Sequence, residues 1–347
     1  MAVVARRQRR GADLVSRLGY LPLGDRLAQG AEPLVRTLLR FAPLRWALNL
    51  CGALGLGGRR GVIALPYGWL TLFFLVPFLI VLKISFAQQL IAQPPYSALL
   101  ERTAAGYLTL KLNLANYRFL IEDALYWKTY LKSVEVAFFS ALICLIIGYP
   151  MAYAMARAAS AWRNVLLMMV VLPFWTSFLL RVYAWIGLLN NHGIINNILM
   201  DLGFIDTPLI MMRTNFAVYL GIVYSYLPFM ILPLYATLEK LDSTLLEAAA
   251  DLGCRPLRAF MAITLPLSVP GIIAGFSLVF IPALGEFVIP DLLGGSDTLM
   301  IGKVLWDEFF TNRAWPLAAA VAIAMLSLVV VIMALQRWLQ TRAEAAA

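Results

Sequence analysis

Residues 216–238 read FAVYLGIVYSYLPFMILPLYATL, an apolar run of 23 residues without one charged side chain. A helix rising 1.5 Å per residue crosses a hydrocarbon core of about 30 Å with roughly 20 residues, so this run is long enough to span a bilayer. The next 28 residues, EKLDSTLLEAAADLGCRPLRAFMAITLP over 239–266, are polar, basic at Lys240, Arg255 and Arg258, and rich in helix formers. An apolar run followed by a basic connection is the repeating pattern of a helical membrane protein that crosses the bilayer several times.

Five further runs repeat the pattern, giving six predicted spans at Tyr67 to Phe86, Tyr130 to Ala156, Val165 to Leu189, Phe216 to Leu238, Leu267 to Pro290 and Trp315 to Trp338. The composition agrees: 62% of the 347 residues are hydrophobic and only 14% charged, with a mean hydropathy of +0.80. Soluble domains run near half apolar and a quarter charged, which excludes soluble enzyme folds. The expected class is all-α and polytopic, with six transmembrane helices.

Arg157 and Arg163 follow the second span, Lys240, Arg255 and Arg258 the fourth, and Arg337 and Arg342 the sixth. The positive-inside rule puts these segments, and with an even span count both termini, in the cytoplasm. The segmentation is a basic arm over 1–66, a membrane domain over 67–338 with an inner loop at 239–266, and a cytoplasmic tail over 339–347. Eleven arginines against Asp13, Asp25 and Glu32 concentrate nearly all of the +9 net charge in the arm. No aromatic-basic recognition motif accompanies them, so membrane retention is preferred over nucleic-acid binding. Arg6, Arg7, Arg9 and Arg10 precede no continuous apolar segment, so the arm is not read as a cleaved signal. Leu34, Leu38, Leu39, Leu44 and Trp46 alternate with Arg36, Arg40 and Arg45, as in a helix lying on an anionic leaflet. Cys51, Cys144 and Cys254 suggest neither a disulfide framework nor a metal cluster, and His192 has no ligand-type neighbour.

Pro150, Pro173, Pro228, Pro233, Pro270 and Pro282 sit within or at the edge of the spans. Such helix breaks favour a transport bundle over a simple anchor. Gly271 and Gly275 form a GxxxG in the fifth span, a site for close helix approach. In the inner loop a hydroxyl residue stands three or four positions before Glu247 and Gly253 follows a run of helix formers, predicting a short helix with an N-cap and a glycine C-cap. Leu241, Leu245, Ala248 and Leu252 would form its apolar face.

Glu247-Ala248-Ala249, three residues, Gly253, nine residues, Ile263, one residue, then Leu265-Pro266 resembles the EAA loop of membrane subunits of bacterial ABC importers. The stretches Pro173 to Ser177, Arg181 to Trp185, Tyr224 to Phe229, Gly285 to Pro290 and Leu292 to Gly295 narrow the likeness to spermidine/putrescine importer permeases, the putrescine type above all. The likeness covers Tyr67 to Trp338 and implies a type I importer permease fold. It implies that Glu247, Ala248, Ala249, Gly253, Leu265 and Pro266 couple to an ATPase. Implied partners are a second permease, two ATPase subunits that bind ATP and Mg, a periplasmic binding protein, a polyamine substrate and membrane lipid. No GxxxxGK[ST] occurs, so the chain is read as non-catalytic with no cofactor of its own. Alternatives are another small organic cation or solute, or an ion-coupled secondary transporter, for which an inverted repeat is expected and not found.

A polyamine site needs carboxylates for ammonium ends and aromatic faces for the chain. The expected pathway residues are Glu286, Asp291, Tyr183, Thr176, Trp175, Tyr224 and Tyr226. Tyr224 and Tyr226 lie about 200° apart on a helix, so one of them packs. Arg181 and Glu135 are expected as structural intramembrane charges. Arg181 would stack on Trp185 and pair with Glu135 or Glu286, which leaves Glu286 either a substrate contact or an ion-pair partner.

Overall fold

A computed structural model describes residues 59–102 and 108–346. The arm's leaflet helix and Cys51 lie outside the described residues. The chain divides into two compact units, 1–81 and 82–347.

Among the described residues five helices are long and apolar enough to cross a membrane, and the count is six when a helix pair bent by 88° is taken as one span. With the short helices that the site uses, they are in chain order α1, Ile63–Ser85; α2, Ala124–Arg157; the pair α3, Ser160–Val171, and α4, Phe178–Leu189; α5, Asn215–Leu238; a short helix α6, Thr244–Asp251; α7, Leu265–Leu284; two short helices α8, Val288–Leu293, and α9, Ile301–Trp306; and α10, Trp315–Ala346. The only strands among the described residues are Leu100–Arg102 and Leu108–Leu110, an antiparallel pair in the segment between α1 and α2.

α2, α5 and α7 form the centre of the second unit, and α5 is the most enclosed, with 56% of its most apolar window buried. Ile222, Met230, Ile231 and Leu234 of α5 are fully or almost fully buried. Lipid offers no hydrophobic drive between helices, so close packing must supply the attraction. Gly271 and Gly275 supply it: a Cβ at Gly275 would lie 2.8 Å from Met230 Sδ, and one at Gly271 would lie 2.6 Å from Thr237 Oγ1. The GxxxG face of α7 is therefore pressed against α5.

The third span is not the single helix expected from Val165 to Leu189. Pro173 opens a tight turn at Leu172–Trp175, Thr176 and Ser177 take extended ψ values of 149° and 135°, and the helices on either side meet at 88°. Proline lacks the N–H that would continue the ladder and clashes with the preceding turn. The fifth span likewise ends at Leu284, six residues short of Pro290, and the chain turns through Gly285–Phe287 into α8. Arg163 Nη1 approaches Glu239 Oε1 at 3.4 Å, tying the start of α3 to the segment after α5.

Candidate functional site

The two breaks create the site. The turn at Pro173 brings Phe174 beside the first turns of α4, where Phe178 and Arg181 lie three residues apart. The break after α7 delivers Glu286 to the same place, and α5 contributes Ser225, Tyr226 and Phe229. Together they line a cavity of about 470 Å³ that opens to the surface.

Glu286 is buried, at 7% exposure. Its Oε1 accepts the backbone N–H groups of Phe287, Val288 and Ile289 at 3.2, 3.0 and 3.4 Å, and its Oε2 accepts the Tyr226 hydroxyl at 2.5 Å. These amides open α8 and would otherwise lack partners. An anionic acceptor there also meets the favourable end of the backbone dipoles. Glu286 is thus the cap of the outer turn as well as a wall of the cavity. That role was missed because a carboxylate two residues ahead of a helix start is visible only once the break at Gly285 is known.

Arg181 pairs with neither expected acid. Glu135 holds Lys132 at 3.2 Å, and Glu286 is engaged as described. The stack on Trp185 is absent too: Trp185 meets Tyr224 edge to face at 5.4 Å. The guanidinium instead lies over the rings of Phe174 and Phe178 at 5.7 and 5.9 Å, and its Nε and Nη1 are buried without a hydrogen-bond acceptor. Phe174 reaches the guanidinium because the chain turns at Pro173 and runs extended through Thr176 and Ser177, a bend that residue spacing does not give.

Of the expected pathway residues, the structure brings Glu286 and Tyr226 into the cavity. Tyr224 packs on Trp185 outside it, while Trp175 and Tyr183 are exposed on the surface of the chain at 75% and 57%. Thr176 donates its hydroxyl to the Pro173 carbonyl at 2.8 Å. Asp291 lies on α8, 2.9 Å from Lys303 Nζ, which also meets Asp307 at 2.8 Å. Glu308 accepts the Tyr126 hydroxyl at 2.9 Å. The outer acids are therefore largely engaged within the chain. Phe174, Phe178 and Phe229 are the unforeseen lining residues, and the signal for the first two was their place just after Pro173, where the helix breaks. No cluster of three or more metal-ligand side chains occurs among the described residues.

The connection between α5 and α7 folds into a closed, exposed helix. α6 is capped at its start by Asp242, whose Oδ1 accepts the Thr244 N–H at 3.0 Å. Ser243 has helical φ and ψ and its side chain makes no cap, so the expected hydroxyl cap is corrected to an aspartate. At the other end the Gly253 N–H reaches Ala250 O at 2.8 Å and the Cys254 N–H reaches Ala249 O at 2.9 Å, with Gly253 at φ +73°. This is the paired closure of a Schellman motif, which requires a left-handed residue. Ala249 is buried, whereas Glu247, Ala248, Leu245 and Leu252 are exposed, Leu252 at 88%. Leu265 and Pro266 begin α7, Pro266 exposed and Leu265 half-buried.

Comparison with known proteins places residues 144–345 in a family described as the binding-protein-dependent transport system inner membrane component. The chain is 42% identical over 275 residues to the spermidine/putrescine transport system permease protein PotB of Escherichia coli, covering 79% of this chain and 94% of that one. It is 41% identical over 263 residues to PotB of Haemophilus influenzae, covering 76% and 87%. Among solved structures, a bacterial alginate ABC transporter in complex with an alginate-bound periplasmic protein contains a similar chain, with a TM-score of 0.62 and 18% identity over 81% of this chain and 93% of that one. The last likeness concerns the fold. These matches and the apolar spans make the chain a multi-pass membrane protein.

Proposed function

Because the chain belongs to the family of binding-protein-dependent transport system inner membrane components, we propose that it is a permease subunit of an ATP-driven importer that moves a polyamine, putrescine or spermidine, into the cytoplasm by alternating access. The observation that carries this reading is the 41–42% identity to spermidine/putrescine permeases across 87–94% of their length. The cavity chemistry supports it. Phe174, Phe178, Phe229 and Tyr226 offer aromatic faces to methylenes and ammonium groups, and Glu286 holds an anionic wall.

In this reading the chain hydrolyses nothing, and ATP and Mg are bound by two ATPase subunits that receive α6. A second permease completes the pathway. A periplasmic binding protein delivers substrate to the outer face, where α8 and α9 lie. The apolar residues Leu245 and Leu252, left exposed by the described residues, support docking of α6 to a soluble subunit. The basic connections support cytoplasmic termini in an inner membrane.

The test is uptake. The chain is expressed with the ATPase, second permease and binding protein encoded beside it, in cells unable to make or import polyamines. Radiolabelled putrescine or spermidine should accumulate, and an ATPase variant unable to hydrolyse ATP should abolish it. Uptake that survives loss of the ATPase would identify an ion-driven transporter. An assembled complex that imports no polyamine would move the substrate to another cation or solute.

A further inference from the structure

The cavity that suits an ammonium group already contains a cation. The Arg181 guanidinium lies over the faces of Phe174 and Phe178, with Nε and Nη1 buried and lacking any acceptor. A buried guanidinium ordinarily finds a carboxylate, because unpaired donors are costly away from water. An acid lines the same cavity, yet Glu286 does not pair with the guanidinium: three backbone amides and Tyr226 already bond its two oxygens. The arginine is thus held in the cavity by aromatic faces alone. Those faces attract any cation of suitable size, and a substrate ammonium would seek the same rings.

We propose that Arg181 is a tethered competitor for the substrate's ammonium group, occupying the aromatic walls of the cavity in this conformation and keeping the permease a low-affinity site from which cargo is released. This rests on the polyamine reading. A transit site that bound a dication tightly would trap it, and affinity belongs in the protein that captures cargo outside. A charge that cannot be deprotonated, fixed in the wall beside the cargo, opposes binding at every physiological pH. Its three-carbon stem lets the head leave the rings when an ammonium displaces it. Arg181 is on this account a specificity-setting residue, disfavouring cargo that cannot offer enough charge and length to replace the guanidinium.

The test measures binding of radiolabelled putrescine to the purified permease–ATPase complex in nanodiscs, without the binding protein. Arg181→Gln should bind putrescine at least about tenfold more tightly than wild type while maximal uptake falls, and Arg181→Lys should stay weak. Added guanidinium ion should displace putrescine from Arg181→Gln more effectively than from wild type, a response that a merely structural arginine would not produce. Arg181→His supplies a second route should the glutamine form not assemble. With an ordinary imidazole pKa near 6.5, its putrescine affinity should rise between pH 5.5 and 8, while wild type stays flat because putrescine remains doubly protonated. An assembled Arg181→Gln complex that binds no tighter, or a pH-independent Arg181→His complex, overturns the inference. A wild-type complex that imports no polyamine overturns instead the reading on which it rests.

Discussion

Tyr226 on α5 donates its hydroxyl to Glu286 Oε2 at 2.5 Å, joining the most enclosed helix of the bundle to the turn that follows α7. The other carboxylate oxygen caps three amides, so a single side chain fixes both the start of α8 and the floor of the cavity. Tyr226→Phe removes one donor and leaves a buried carboxylate oxygen short of a partner, which costs about 1–3 kcal/mol. A lower melting temperature of the purified complex is expected. An unchanged melting temperature would show that water replaces the phenol.

Glu286→Gln keeps an acceptor for the amides and removes the charge. Assembly should persist while putrescine uptake falls at least about tenfold, since the carboxylate is the anionic wall of the cavity. Glu286→Ala should in addition lose the cap, worth about 1 kcal/mol. Uptake at the wild-type rate from assembled Glu286→Gln would confine this residue to shaping the turn.

The close approach of α7 to α5 sets a steric expectation. At Gly275 a methyl group would meet Met230 Sδ at 2.8 Å and the Met230 carbonyl oxygen at 3.0 Å. The thioether can swing away but the backbone cannot, so Gly275→Ala should destabilise by about 1–3 kcal/mol through overpacking. Thermal unfolding in detergent reads this directly. A neutral effect would mean that the two helices separate at little cost.

What the sequence made legible was governed by local chemistry. Apolar run length located the spans, prolines marked the breaks, and the glycine after LLEAAADL marked the end of α6. What it hid depended on tertiary placement. The angle at Pro173 follows from two extended residues and from what α4 packs against, so residue spacing alone did not place Phe174 against Arg181. Asp242 replaced Ser243 as the cap because Ser243 is already helical. Asn196 is fully buried and holds the outer segment through both the Leu209 N–H and the Leu209 carbonyl, although nothing local distinguishes it from its neighbour Asn197.

Lys303 sits between Asp307 and Asp291 at 2.8 and 2.9 Å. Its hydrogen bond to Asp307, then that to Asp291, raises its pKa above the ordinary 10.5. A raised lysine contributes stability that is fully present below its unfolded pKa and lost as pH climbs through the higher folded value. The contribution should therefore stay constant from pH 6 to 9 and fade above pH 10, faster in wild type than in Lys303→Met. With all three groups partly exposed the contribution stays below about 1 kcal/mol. A wild-type melting temperature that falls between pH 6 and 9, with Lys303→Met flat, would assign the ion cluster the wrong sign.

Glu247 and Gly253 separate docking from folding in α6. Glu247 is exposed and has no side-chain partner among the described residues, so Glu247→Ala should change stability by no more than about 0.5 kcal/mol. Gly253 has open space where a Cβ would go, yet its φ is +73°, so the obstacle to substitution is backbone conformation alone. Asparagine tolerates the left-handed region better than alanine, and proline cannot enter it. If the closed C-terminus of α6 presents Glu247 to an ATPase cleft, substrate-stimulated ATP hydrolysis should fall in the order glycine, asparagine, alanine, proline at 253. Glu247→Ala should lose it with the fold intact. A reconstituted complex in which Gly253→Pro keeps full stimulation would separate this loop from ATPase coupling. An impermeant thiol reagent that reaches Cys254 from outside intact cells, in a background without Cys51, would put the loop on the wrong side of the membrane for it.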